Sequence, residues 1–275
     1  MNLGQLDGPV LVFGGPYSNL AATEAVKAET ERLGIPAKRV ICSGDLVAYC
    51  AQPEETVALI RDWNIHVVMG NCEESLAQGS LDCGCGFEAD SACSLLSIEW
   101  YNYSNQRVSL VDKAWMSELP RNLSFSINQK RFMVVHGSFL QINEFIFPSS
   151  SAALKVQQLR DADVDVMIGG HCGLPFSTRL DQGVWLNSGV IGMPANDGTS
   201  EGWYMLITPV GDRIDISWHR LAYDVQRTVN HMQREHVSAP YAQCLQNGLW
   251  PSLDILPEEE RSQTGIPIEL PSLAI

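Results

Sequence analysis

Apolar positions in the first half of the chain fall into short runs separated by stretches of helical spacing. Val10-Leu11-Val12-Phe13 predicts a buried strand, followed by Gly14-Gly15-Pro16 and a helix from about Asn19 to Leu33. Arg39-Val40-Ile41-Cys42 predicts a second strand, Glu54 to Trp63 a second helix after Pro53, and His66-Val67-Val68-Met69 a third strand. Strands alternating with helices imply parallel pairing, with helices on both faces of a sheet. Ser91 to Met116 has a helical pattern rich in aromatics (Trp100, Tyr101, Tyr103 and Trp115), which predicts packing. The second half is richer in strands, at Leu123–Ile127, Arg131–Val135, Val164–Ile168, Gly183–Leu186, Trp203–Ile207 and Arg213–Trp218. A helix from Asp224 to Glu235 and a proline-containing tail follow. There is no internal repeat. The pattern predicts a layered α/β sandwich over residues 1–224, then a C-terminal helix and extended arm over 225–275. That arm packs either on the same domain or on a second subunit in a homo-oligomer.

With 275 residues, 45% hydrophobic and 18% charged, the chain suits a globular protein with a sizeable core. No apolar run approaches the ~20 residues of a membrane helix. Met1 to Pro9 lacks a basic segment followed by an apolar one, so the expected location is cytoplasmic. The net charge of −14 counts against binding a nucleic-acid backbone, which Lys and Arg must meet. A phosphate-ester substrate remains compatible if metal ions supply positive charge locally. The eight cysteines are expected as reduced thiols or metal ligands rather than a disulfide framework.

The chemistry-bearing residues stand just after strands, where open α/β sheets place their ligand sites. They are Gly44-Asp45, Gly70-Asn71-Cys72-Glu73, His136-Gly137 and Gly170-His171-Cys172-Gly173. Asp, Asn and two His offer oxygen and imidazole donors suited to Zn, Mn or Fe. One such pair is weak; four in order at strand ends are much stronger. This order resembles the calcineurin-like metallophosphoesterases, in particular their bacterial phosphodiesterase-like branch. Asn187-Ser188-Gly189-Val190-Ile191-Gly192-Met193-Pro194 is similar to a further family segment. Gly14-Gly15-Pro16-Tyr17-Ser18-Asn19-Leu20 stands where the family has Ser-Asp-x-His-Gly-Asn-Leu.

The resemblance implies a sandwich of two mixed β-sheets flanked by helices, and hydrolysis of a phosphate mono- or diester by a metal-bound hydroxide. It also implies a metal site of Asp45, Asn71, His136 and His171, all ligands of the family's second ion. The positions that would hold the first ion's private ligands carry Gly15, Tyr17 and Gly173. One divalent ion (Zn, Mn or Fe) is therefore expected. A second would need substitute ligands, for which Tyr17, Cys83, Cys85 and Cys172 are the weaker candidates. By the same resemblance Cys72 would protonate or position the leaving oxygen, with Glu73 orienting it. The alternative is a catalytically degenerate homologue that binds a metal or a phosphate ligand. Cys72, Cys83, Cys85 and Cys93 as a separate zinc knot lack the usual Cys-x2-Cys spacing. Asn19 is positioned to cap the first helix, and Tyr49 to pack near the site.

Overall fold

The computed structural model describes residues 1–89 and 91–275. Its strands are β1 (Asn2–Gln5), β2 (Val10–Phe13), β3 (Val40–Cys42), β4 (His66–Val67), β5 (Asn122–Ile127), β6 (Lys130–Val135), β7 (Val166–Gly169), β8 (Pro175–Leu180), β9 (Gly183–Ser188), β10 (Gly202–Val210), β11 (Arg213–Leu221) and β12 (Leu273–Ala274). They form two mixed six-stranded sheets, ordered β1-β5-β6-β7-β9-β8 and β12-β11-β10-β2-β3-β4. β2, β3 and β4 run parallel, as do β6, β7 and β9.

All four side chains of β2 are buried, which explains its unbroken apolar run. Val10 and Val12 pack between the sheets with Ile41, Trp185 and Met205. Leu11 and Phe13 face the other way, packing with Val26, Val57 and Trp100 under the helices α1 (Leu20–Arg32), α2 (Pro53–Trp63) and a later aromatic helix. Asn19 caps α1, its side-chain oxygen accepting from the Ala22 N–H at 3.2 Å.

Several elements differ from the sequence expectation. The third strand stops at Val67, and the Met69 N–H turns to Pro120 O. Asn71, expected just after the third strand, starts helix α3 (Asn71–Gln78), which the sequence pattern does not predict. The stretch 91–116 splits into α4 (Ala92–Arg107) and α5 (Leu110–Ser117), because Ser109 caps a new start by accepting from the Asp112 N–H. Helix α6 (Ala152–Ala162) went unread because it buries polar side chains. Lys155 is fully buried and donates to Pro148 O at 2.7 Å and Thr178 Oγ1 at 3.1 Å.

After α7 (Val225–Glu235) the tail forms α8 (Ala239–Asn247) and α9 (Glu258–Arg261), and β12 adds to the edge of β11. The buried Asp197 carboxylate anchors it, accepting from Arg220 and from the Ile268 N–H. Among the described residues no helix is long and apolar enough to cross a membrane.

Candidate metal centre

The ends of the parallel strands of both sheets meet at one place. Gly14 bridges to Val190, the Gly15 N–H donates to Gly44 O, and the Gly170 N–H donates to His136 O at 2.6 Å. The crossing is so tight that residue 44 must be glycine. Its φ is +101°, and a Cβ there would lie 2.8 Å from Gly70 N and 2.9 Å from His136 Nδ1. Asp45 and His171 also adopt positive φ, 57° each, which side chains other than glycine seldom do.

Those turns aim Asp45, His136 and His171 at a common point. One ligand atom from each lies within 4.8 Å of the others, and all three residues are buried. His136 Nε2 is 3.3 Å from Asp45 Oδ2, 3.0 Å from Asn71 Oδ1 and 3.2 Å from His171 Nδ1. The other ring nitrogen, Nδ1, lies 2.7 Å from Ser43 O. A carbonyl only accepts, so Nδ1 carries the hydrogen, and Nε2 of the neutral ring presents a lone pair to the site.

Asn71 is oriented by the same logic. Its amide N–H groups donate to Cys83 O at 2.9 Å and toward Cys85 Sγ at 3.3 Å, which leaves Oδ1 facing inward. The Cys72 backbone N–H holds Asp45 Oδ1, turning Oδ2 toward His136. Asp45 Oδ2, Asn71 Oδ1 and the two imidazoles thus converge, and the buried His171 Nε2 has no hydrogen-bond partner among the described residues. Without metal a proton on His136 relieves their mutual repulsion; with that proton lost, the oxygen and imidazole donors fit a divalent ion.

Burial works against charge on Asp45, yet His136 and His171 hold its carboxyl below the usual range. Burial also opposes charge on His136, but the Asp45 carboxylate and the Ser43 carbonyl outweigh it and raise the imidazole above its ordinary value. His171 is pulled down to about 3 by burial and by His136.

The remaining expected residues take other places. The Glu73 carboxylate does not turn to Cys72. It accepts from the backbone N–H groups of Asp45 (2.8 Å), Gly70 (2.9 Å) and Leu46 (2.7 Å), clamping the two ligand loops together. Burial and the Asp45 charge push it up to about 7. Cys72 packs in the core under the helices and is not among the residues lining the adjoining cavity. Burial, then Asp45, raises its thiol well above the ordinary value.

Cys83 and Cys85 are joined in a disulfide, which corrects the expectation of free thiols and removes both as thiolate ligands in this state. The Cys172 thiol accepts from Asn187 Nδ2 at 3.3 Å, and burial pushes it up to about 12. Tyr17 lines the cavity, and burial, then Asp45, raise its phenol well above the ordinary value.

The cavity beside Asp45 and His171 is walled by aromatics, among them Tyr49, Phe145, Tyr241 and Trp250. The Phe145 and His171 rings lie 4.1 Å apart. Sequence reasoning missed Phe145, Tyr241 and Trp250. They are aromatics in unremarkable segments, and only the tail's return across the site brings Trp250 there, its indole N–H donating to Pro194 O at 2.7 Å.

Known proteins resemble this arrangement. The sequence model of the calcineurin-like phosphoesterase superfamily domain matches residues 18–210. An uncharacterized protein of Methanocaldococcus jannaschii is 26% identical over 236 residues, covering 79% of this chain and 89% of its own. The crystal structure of a metallophosphoesterase from Sphaerobacter thermophilus superposes with a TM-score of 0.68 at 21% identity, covering 88% of this chain and 99% of its own. A hypothetical protein from Pyrococcus horikoshii superposes with a TM-score of 0.73 at 16% identity, over 91% of this chain and all of its own. With the family match extending over most of its length, this chain belongs to the calcineurin-like phosphoesterase superfamily.

Proposed function

We propose that the protein is a metal-dependent phosphoric ester hydrolase that works with one divalent ion held by Asp45, Asn71, His136 and His171. The observation that carries this reading is the convergence of Asp45 Oδ2, Asn71 Oδ1 and His171 Nδ1 on the His136 Nε2 lone pair, within the family's fold. An ion held there would supply Lewis acidity and lower the pKa of a water. The chain's own part is to fix four ligand atoms through Ser43, Glu73 and the Cys83–Cys85 loop, and to wall the reaction from bulk water with aromatics.

Charge favours a diester over a monoester. The described residues lining the cavity include Asp45 and no Lys or Arg. One dication against one carboxylate leaves a single positive charge, which balances a monoanionic phosphodiester better than a dianionic monoester. Hydrolysis would make a bond from water oxygen to phosphorus and break the bond to the leaving oxygen.

The test is metal counting on protein purified without chelators, then turnover of a bis-aryl and a mono-aryl phosphate after loading with Zn, Mn or Fe. One ion per chain and faster diester turnover are expected, with both ion and turnover lost in Asp45→Asn and His136→Ala. The loss of three ligands from the first ion favours a second reading, a metal-binding homologue without hydrolase activity. One bound ion with no turnover of any phosphoester would establish that reading instead.

A further inference from the structure

The space of the family's first ion has been filled. A Cβ added at Gly15 would lie 2.5 Å from Cζ and 2.6 Å from Cε2 of Tyr17. The phenol end of that ring therefore stands where a carboxylate at position 15 would stand. A Cβ at Gly173 would meet Trp250 Cζ2 at 3.3 Å, so the indole covers the place of an imidazole there. These residues do not fit a second ion. Tyr17 is 4% exposed and lines the cavity beside Asp45. Tyr49 packs edge-on against it at 4.8 Å, and Tyr241 packs on Tyr49 at 4.5 Å; both line the same cavity.

Resting on the hydrolase reading above, we propose that the phosphoryl group is held by a single ion together with the Tyr17 hydroxyl, which donates a hydrogen bond to a phosphoryl oxygen from the place of the missing ion. A neutral donor lining a largely apolar cavity is effective at little desolvation cost, the logic of an oxyanion hole. A phenol's ordinary pKa near ~10 leaves it a donor at neutral pH. Tyr49 and Tyr241 fix the ring, and Trp250 closes the wall behind it.

The test compares wild type with Tyr17→Phe, which keeps the ring and its packing. Metal stoichiometry and affinity are measured first. The metal-loaded proteins are then titrated with inorganic phosphate by calorimetry and by tyrosine ultraviolet difference spectra. One ion per chain with equal affinity is expected in both. Phosphate binding should weaken about tenfold in Tyr17→Phe, diester turnover should fall about a hundredfold, and the phosphate-induced tyrosine signal should shrink. Equal phosphate affinity in the two proteins would overturn the proposal. So would two ions per chain in wild type, while leaving the hydrolase reading intact. Failure to bind any ion would sink both, and the metal count reveals it before phosphate is added.

Discussion

Two halves of one site have gone in opposite directions. On the side of Asp45, Asn71, His136 and His171, the first three each have a second hydrogen-bond partner that fixes their orientation, His171 packs on the Phe145 ring, and the glycines are those the crossing backbone requires. On the side of Gly15, Tyr17 and Gly173, the ligand positions hold glycine or an aromatic, and the vacated space is packed by Tyr17 and Trp250. A site merely decaying would lose ligands and leave voids, or lose their supporting bonds with them. Here one half retains its supporting shell and the other is rebuilt in apolar material. The difference is the one expected if the proposed site holds a single ion rather than a pair.

The clamp on the intact half is the place where the largest effect is expected. Glu73 satisfies three buried backbone N–H groups, so Glu73→Ala leaves three donors without partners. At about 1–3 kcal/mol for each orphaned group, a loss of at least about 3 kcal/mol is expected. Denaturant unfolding of metal-free protein would show it. A change below about 1 kcal/mol would mean that water replaces the carboxylate and the loops are not held as described. Glu73→Gln keeps one oxygen and should fall between.

The rebuilt half makes a smaller and more specific prediction. Gly15→Asp restores a ligand type but drives its Cβ into the Tyr17 ring, at a backbone φ of +44°. Overpacking of this kind costs about 1–3 kcal/mol. The companion change Tyr17→His removes the clash, so the double variant should be more stable than Gly15→Asp alone, a coupling that a double-mutant cycle measures. Additive effects would mean that Tyr17 does not fill the position-15 space.

The sequence made the intact half legible, since each of its residues stands at the end of an apolar strand beside a glycine. The three lost ligands were equally legible as departures at Gly15, Tyr17 and Gly173. What replaced them was not, because Trp250 lies 77 residues after Gly173 in a tail that no local pattern ties to the site. The tail returns through long-range contacts such as Asp197 with Ile268 and β11 with β12, which leave no periodic trace. Glu73 was misread for a related reason. Its neighbour in sequence is Cys72, but its carboxylate reaches back to Asp45 and Leu46, across the junction of two strands. Helix α6 escaped notice because its buried face includes Lys155 and Gln158, whose pairing with Pro148, Thr178 and Phe139 is tertiary.

The smallest expected effect, and the one that most sharpens the contrast, is on pH. Binding an ion requires a lone pair on His136 Nε2, so a proton there competes with metal. In the metal-free protein the His136 pKa is raised, His171 sits at about 3 and Asp45 is lowered, so among the proposed ligands His136 is the one whose proton competes with metal, beside Glu73 at about 7. Metal affinity should be level above the His136 pKa and fall about tenfold per pH unit below it, with one proton released per ion. Without metal the sign reverses. The raised pKa stabilises the fold fully below the unfolded value near ~6.5, and that contribution is lost as pH rises through the folded value. The thermal stabilisation produced by added metal should therefore grow from acid toward neutral pH. The buried tyrosines of the other half keep their protons throughout and add no alkaline limb at moderate pH. Affinity insensitive to acid would show that the ligand set is not the one assembled around His136.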